Sequence, residues 1–204
     1  KYYARVQYQL EPAGVLSASA YELKLTNMGT ANQAISAEAA GYADDPEYTG
    51  YTFLQTTNLA GTRKIKGVDF EYSQQLVFLP GFWRGLSVFG SVSRASADAK
   101  TAGVVPKSAN GGVRFSNHRF NVRLLSTWTS ATATAIGATE TQWNYERLMF
   151  DLSAGYKLNQ TYELTLSGRN ISNAPIRGYS NEPGRLRIIL YMGAVWTVGI
   201  RGRF

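Results

Sequence analysis

Apolar residues return at every second position along most of this chain, and they do so over stretches of roughly ten residues. Only an extended strand with two unlike faces satisfies that period. Leu148, Phe150, Leu152, Ala154, Tyr156 and Leu158 alternate with Arg147, Asp151, Ser153, Gly155 and Lys157. Phe120, Val122, Leu124 and Trp128 alternate with Asn121, Arg123, Thr127 and Thr129, and Val68, Phe70, Tyr72, Leu76 and Phe78 with Asp69, Glu71, Ser73 and Gln75. Tyr2, Ala4, Val6, Tyr8 and Leu10 oppose Tyr3, Arg5, Gln7 and Gln9, and the run from Ile188 to Phe204 sorts the same way. The helical period is nearly absent.

Soluble strands usually hold about 5–6 residues, whereas a strand tilted across a bilayer needs about 9–11. An apolar face opposite a face of Arg, Asp, Glu, Gln, Ser and Gly is the lipid-out, lumen-in arrangement of an outer-membrane barrel. A soluble sandwich has the same period with its apolar faces packed together. The connections favour the barrel. They alternate between short turns (EPAG at 11–14, LPGFWRG at 79–85, SNHR at 116–119, LNQT at 158–161) and long segments near 28–61, 98–106, 131–142 and 173–186. Short turns on one side and long loops on the other fit periplasmic and extracellular ends.

Counting gives about nine strands: 1–10, 15–27, 62–78, 85–97, 107–116, 119–130, 144–158, 161–171 and 187–204, with 51–58 as an outer extension of the third. An odd count does not close a bacterial barrel, and an open greasy sheet cannot persist alone in lipid. The opening KYYARVQYQL carries no signal-peptide pattern. The chain therefore reads as the C-terminal part of something larger.

Composition excludes several functions. Charged residues are 17% of the 204, there is no Cys and one His, and the net charge is +7. Thiolate metal sites and Ser-His-Asp triads are thereby disfavoured, and no carboxylate pair with a base or nucleophile suggests an enzyme or a bound cofactor. Lys and Arg are spread along strands rather than clustered, which argues against nucleic acid. His118 is expected in a turn, and Asn170-Ile171-Ser172 matches a glycosylation triplet that has no meaning on a bacterial outer membrane. The Ala-rich stretch 30–42 is expected to form a short helix.

Three segments carry a family resemblance. TRKIKGVDFEY (Thr62–Tyr72, after Thr57-Asn58), LTLSGRNISN (Leu164–Asn173) and VWTVGIRGRF (Val195–Phe204) resemble, in order and spacing, strands of TonB-dependent outer-membrane receptors. The resemblance implies an all-β fold, an antiparallel transmembrane β-barrel of which this chain forms the last nine or so of about 22 strands. The signal peptide, TonB box and plug would lie outside it. It implies TonB-energised uptake of a scarce nutrient such as a siderophore, haem, cobalamin or oligosaccharide. A passive porin and a soluble all-β binding module are the alternatives.

On this reading Trp196, Val198, Ile200 and the terminal Phe204 form the signal met by the barrel assembly machinery. Trp143 and Tyr145, with Arg147, are candidates for ligand contact near a long loop. Tyr8, Phe82, Trp83, Phe115, Phe120, Tyr156, Tyr162 and Phe204 near the short turns, with Trp128, Trp143, Tyr145, Tyr179 and Tyr191 near the long loops, are expected to make two interfacial belts. Arg5, Lys24, Arg114, Arg123, Arg147, Lys157, Arg169, Arg201 and Arg203 are expected on the lumen face with Asp69, Glu71, Asp151 and Glu163. The partners are outer-membrane lipid, with lipopolysaccharide at Arg63, Lys64 and Lys66, the assembly machinery and, in the intact protein, TonB and the plug domain.

Overall fold

The computed structural model describes residues 1–26, 29–43, 45–48, 50–58, 61–97, 101–136 and 140–202. In chain order the strands are β1 (Tyr2–Leu10), β2 (Gly14–Thr26), β3 (Gly29–Ser36), β4 (Thr52–Asn58), β5 (Thr62–Gln75), β6 (Leu86–Ala97), β7 (Lys107–Ser116) and β8 (Phe120–Thr129). They continue with β9 (Thr132–Ile136), β10 (Thr141–Asn144), β11 (Arg147–Lys157), β12 (Tyr162–Arg169), β13 (Ile176–Ser180), β14 (Leu186–Leu190) and β15 (Val195–Gly202).

Nine of them form one antiparallel sheet in the order β1-β2-β5-β6-β7-β8-β11-β12-β15. Each neighbour along this sheet is the next of the nine in sequence, so the sheet is an up-and-down meander. Its two edges, β1 and β15, do not pair with each other, and the sheet is open. The expected all-β antiparallel fold is present, with strands at the first eight of the nine expected positions.

The short turns are built by side chains that stand in for backbone. Asn117 Oδ1 accepts from the N–H groups of Arg119 and Phe120 at 2.8 and 2.7 Å. Asn159 Oδ1 does the same for Thr161 and Tyr162, both at 2.8 Å. These are Asx turns, which satisfy the reversing chain without further residues. His118 sits exposed in the first of them, as expected.

Register fixes the faces. The row Val6–Ala18–Phe70–Val92–Ala109–Trp128–Leu148 runs across seven strands on one face. The row Gln7–Ser17–Glu71–Ser91–Asn110–Thr127 runs across the other. Among the described residues nothing packs on the apolar face: Val6 is 73% exposed, Phe70 53% and Val198 69%. Tyr179, in a different sheet, is the one buried hydrophobic residue among those described. A sheet in water keeps its apolar face packed on a core, so this uncovered face requires an apolar surrounding.

Several expectations give way. Residues 187–204 are not one strand: Leu186–Leu190 pairs with β13 in a second sheet, β14-β13-β10-β9, and Val195–Gly202 returns to the large one. The alternation runs through both, but Gly193 at φ +75° breaks the extended path between them. Residues 51–58 contain β4, which pairs with β3 in a two-stranded ladder that begins at Gly29↔Asn58, next in sequence after the Thr26↔Thr62 end of β2 and β5. The same pairing overturns the expected helix at 30–42: cross-strand hydrogen bonding outweighs the weak helical preference of Ala. The long segments at 131–142 and 173–186 carry strands of the second sheet instead of irregular loop.

Candidate functional site

The polar face carries a lateral hydrogen-bond network set by strand register. Arg5 Nη2 donates to Ser17 Oγ at 3.0 Å and to Glu71 Oε2 at 2.7 Å, and Ser17 Oγ donates to the same carboxylate at 3.0 Å. One row away Asp69 accepts from Ser19 at 3.2 Å and from Ser93 at 2.7 Å. Farther along the sheet Asn121 Nδ2 donates to Glu163 Oε1 at 2.8 Å, and Arg201 lies 3.7 Å from the other oxygen.

That last bridge crosses over Gly155, where an added Cβ would stand 2.4 Å from both Asn121 Nδ2 and Glu163 Oε1. Gly67 is constrained in the same way, since its Cβ would enter the Tyr21 ring at 2.3 Å. These glycines let long side chains lie flat across the sheet. The guanidinium of Arg123 stacks over Phe89, 4.8 Å from the ring centroid. The face is thus mixed in charge and laterally paired, suited to polar contact with water or with protein. Arg5, Arg114, Arg123, Arg147, Lys157, Arg169 and Arg201 fall on it by register, with Asp69, Glu71, Asp151 and Glu163. Lys24 does not, because it pairs with Lys64 on the opposite, apolar face. Arg63 is on the polar face, so only Lys64 and Lys66 of the expected basic trio face outward. Arg203 lies outside the described residues.

On the long-loop side, a cavity of about 640 Å³ opens between the β6–β7 connection and the second sheet. Val104, Pro106, Ile136 and Trp143 supply its apolar lining, and Arg94 and Lys107 its cations. Gly103 N–H donates to Ala133 O at 2.8 Å and ties the connection to β9. Such a hollow suits a flat or apolar ligand carrying an anionic group.

Of the three ligand candidates, Trp143 alone lines this cavity. Its ring is parallel to Tyr179, 6.1 Å away at 4°. Tyr145 packs on Tyr179 at 4.6 Å, lies under the Arg177 guanidinium at 5.0 Å, and donates its hydroxyl hydrogen to Pro183 O. Arg147 donates from Nη2 to Ala174 O at 2.9 Å, and its Nε finds no partner among the described residues. Tyr145 and Arg147 lie outside this cavity and join the second sheet and the 174–183 segment to the end of β11. Of the long-loop aromatics, Trp143, Tyr145 and Tyr179 gather into one cluster. Near the short turns Phe82 meets Phe115 at 4.4 Å and Phe120 meets Tyr156 at 4.8 Å.

Asn170 has a role the glycosylation reading of its triplet missed. Its backbone is left-handed, φ 51°, and its N–H donates to Asp151 Oδ1 at 2.8 Å. Its Oδ1 accepts from Ala174 N–H at 2.9 Å, and its Nδ2 donates to the carbonyls of Ala174 and Gly193, both at 3.3 Å. The residue stops β12 and fastens both ends of the excursion that carries β13 and β14. A left-handed Asn after an alternating strand is the only signal, and the sequence does not display backbone handedness. A second cluster also went unread: Tyr42 stacks on Phe53 at 5.1 Å and meets Tyr48 at 4.9 Å, giving the β3–β4 hairpin its own small core.

Trp196, Val198 and Ile200 share the apolar face at the β15 edge, opposite Gly168, Leu166 and Leu164 of β12. They are 53%, 69% and 69% exposed. Phe204 lies outside the described residues.

A family model described as TonB dependent receptor-like, beta-barrel matches residues 5–171. No curated protein and no solved structure matches the chain.

Proposed function

The chain belongs to the TonB-dependent receptor-like β-barrel family, and from that premise we propose that it is the C-terminal part of a plugged outer-membrane barrel that imports a scarce nutrient. The observation that carries this is the meander of nine strands, unpacked and apolar on one face and laterally hydrogen-bonded on the other. Lipid takes the apolar face, and further strands of the barrel continue the ladder at the β1 and β15 edges, since bare edges have no place in hydrocarbon. The polar face meets water and the plug domain, and TonB supplies the energy from the inner membrane.

The nutrient is a siderophore, haem, cobalamin or an oligosaccharide, met first on the long-loop side, where the Trp143 cavity lies. Trp196, Val198 and Ile200 with Phe204 offer the assembly machinery an open β edge and an apolar side-chain series.

The test is uptake by a Gram-negative host carrying the full-length gene, with and without its TonB. Accumulation of one of these nutrients that stops when TonB is removed is the expected result. Uptake that persists without TonB, together with steady ion conductance in a planar bilayer, would replace this reading with a passive channel.

A further inference from the structure

Charge on the polar face is segregated across the sheet. Through the middle of β1, β2, β5 and β6 the charged groups are answered locally, Arg5 by Glu71 and Asp69 by two serine hydroxyls. Toward the other edge the balance changes. Strands β7 and β8 place Arg114 and Arg123 on this face and contain no Asp or Glu at all. Strands β11, β12 and β15 add Lys157, Arg169 and Arg201, and their two carboxylates are already committed. Asp151 accepts the Asn170 N–H at 2.8 Å, and Glu163 accepts from Asn121 at 2.8 Å with Arg201 3.7 Å away.

Arg114 stands directly opposite Arg123, and both are exposed. Like charges at such positions oppose strand pairing. Among the described residues none of Arg114, Arg119, Arg123 and Lys157 joins an ion pair. The cations also lie at successive heights along the strands. Arg169 is two residues from Ser167, at whose level Ser153 meets Arg123, and Lys157 is four residues beyond Ser153. The steps are about 7 and about 13 Å at the rise of a strand. The positions between them are short: Ser153, Ser167 and Thr197, then Thr165 and Gly199. At the short-turn end the column opens into a hollow of about 620 Å³, where Arg119, Lys157 and Arg201 gather beside His118.

Resting on the reading that this face lines the route of an imported nutrient, we propose that the column passes a multiply charged anion. The nutrient is then a carboxylate- or phenolate-bearing compound and not a neutral sugar or corrinoid. The opposed arginines need an anion that the sheet does not hold. Stepped cations over a floor of hydroxyls and glycine suit a solute that leaves one level as it meets the next, the device of Arg- and Lys-lined anion pores. A neutral solute would gain nothing from the column, and a cation would be repelled at every step.

The test measures uptake by a Gram-negative host carrying the full-length gene, with and without TonB. The labelled probes are ferric citrate and haemin (anionic), cyanocobalamin and maltoheptaose (neutral) and ferrioxamine B (cationic). TonB-dependent entry of an anionic probe ahead of the others is the expected result. Arg114→Gln/Arg123→Gln should slow that entry at least about tenfold, the scale on which focused charge acts, while capture of the probe by cells lacking TonB stays at the wild-type level. Arg114→Lys/Arg123→Lys keeps both charges and should enter near the wild-type rate. Ser153→Glu sets a carboxylate beside Arg123 and should slow entry as the glutamine pair does. Faster or equal entry of a neutral or cationic probe, unchanged entry in either charge-cancelling variant, or a lysine pair as slow as the glutamine pair overturns the proposal. Slowed entry with steady ion conductance of the variant in a planar bilayer also overturns it, because the cations would then be holding the plug. Entry without TonB, or of no probe at all, refutes instead the import reading on which the column rests.

Discussion

Replacing Asn170 by Ala removes three side-chain hydrogen bonds and leaves a left-handed backbone to a residue that resists it. Ala174 O keeps its Arg147 donor, so the groups orphaned are Ala174 N–H and Gly193 O. Each costs about 1–3 kcal/mol when buried without a partner, and the left-handed conformation adds about 1–2 kcal/mol for a residue with a Cβ. These bonds are only part-buried, so the lower half of each range applies and the loss is about 3–5 kcal/mol. Asn170→Gly spares the backbone term and should lose about 1 kcal/mol less. Urea titration of the full-length receptor in vesicles, followed by tryptophan fluorescence, reads both values. Limited proteolysis should show new cuts within 174–194 in both variants, since the node anchors both ends of that segment. If Ala and Gly variants both lie within about 0.5 kcal/mol of wild type with no new cleavage, the node is not what holds the excursion to the sheet.

Three further outcomes follow from the face assignment and the polar network. Leu152→Arg puts a charge on the apolar face and should cost about 2–4 kcal/mol in bilayer stability, whereas Ser153→Glu points the other way, beside its cross-strand partner Arg123, and should be tolerated; equal damage in a refolding assay refutes the faces. Gly155→Ala should displace the Asn121–Glu163 bridge at a cost of about 1–2 kcal/mol, and no change in a urea midpoint would mean the bridge carries nothing. Deletion of Phe204 should lower the amount of receptor recovered in the outer membrane, read by quantitative blotting of membrane fractions; undiminished insertion excludes it as an assembly signal.

The strands of the large sheet were legible in the sequence because a period of two is a local property: whether Leu152 and Ser153 point to opposite sides depends only on the pleat between them. The turns were equally legible, since Asn117 and Asn159 bond within three residues of themselves. The resemblance in the Thr62–Tyr72, Leu164–Asn173 and Val195–Phe204 segments was also present in the residues, and with it the family. What the period left undecided was which sheet a strand joins. Leu186–Leu190 and Val195–Gly202 alternate in one unbroken rhythm, yet a left-handed Gly193 and the Asn170 amide send them to different sheets. Lys24 shows the same limit from the other side. Polarity alone sorts it with Arg5, whereas pairing with Lys64 turns it outward, because at the outer ends of β2 and β5 the polar side chains change faces while the ladder does not. Trp143 and Tyr145 looked alike as candidates, and both rings meet Tyr179; only the tertiary structure shows that Trp143 also lines the cavity while Tyr145 does not. A chain's alternation specifies its faces, but register and long-range hydrogen bonds decide what each face meets, and those join residues far apart in sequence.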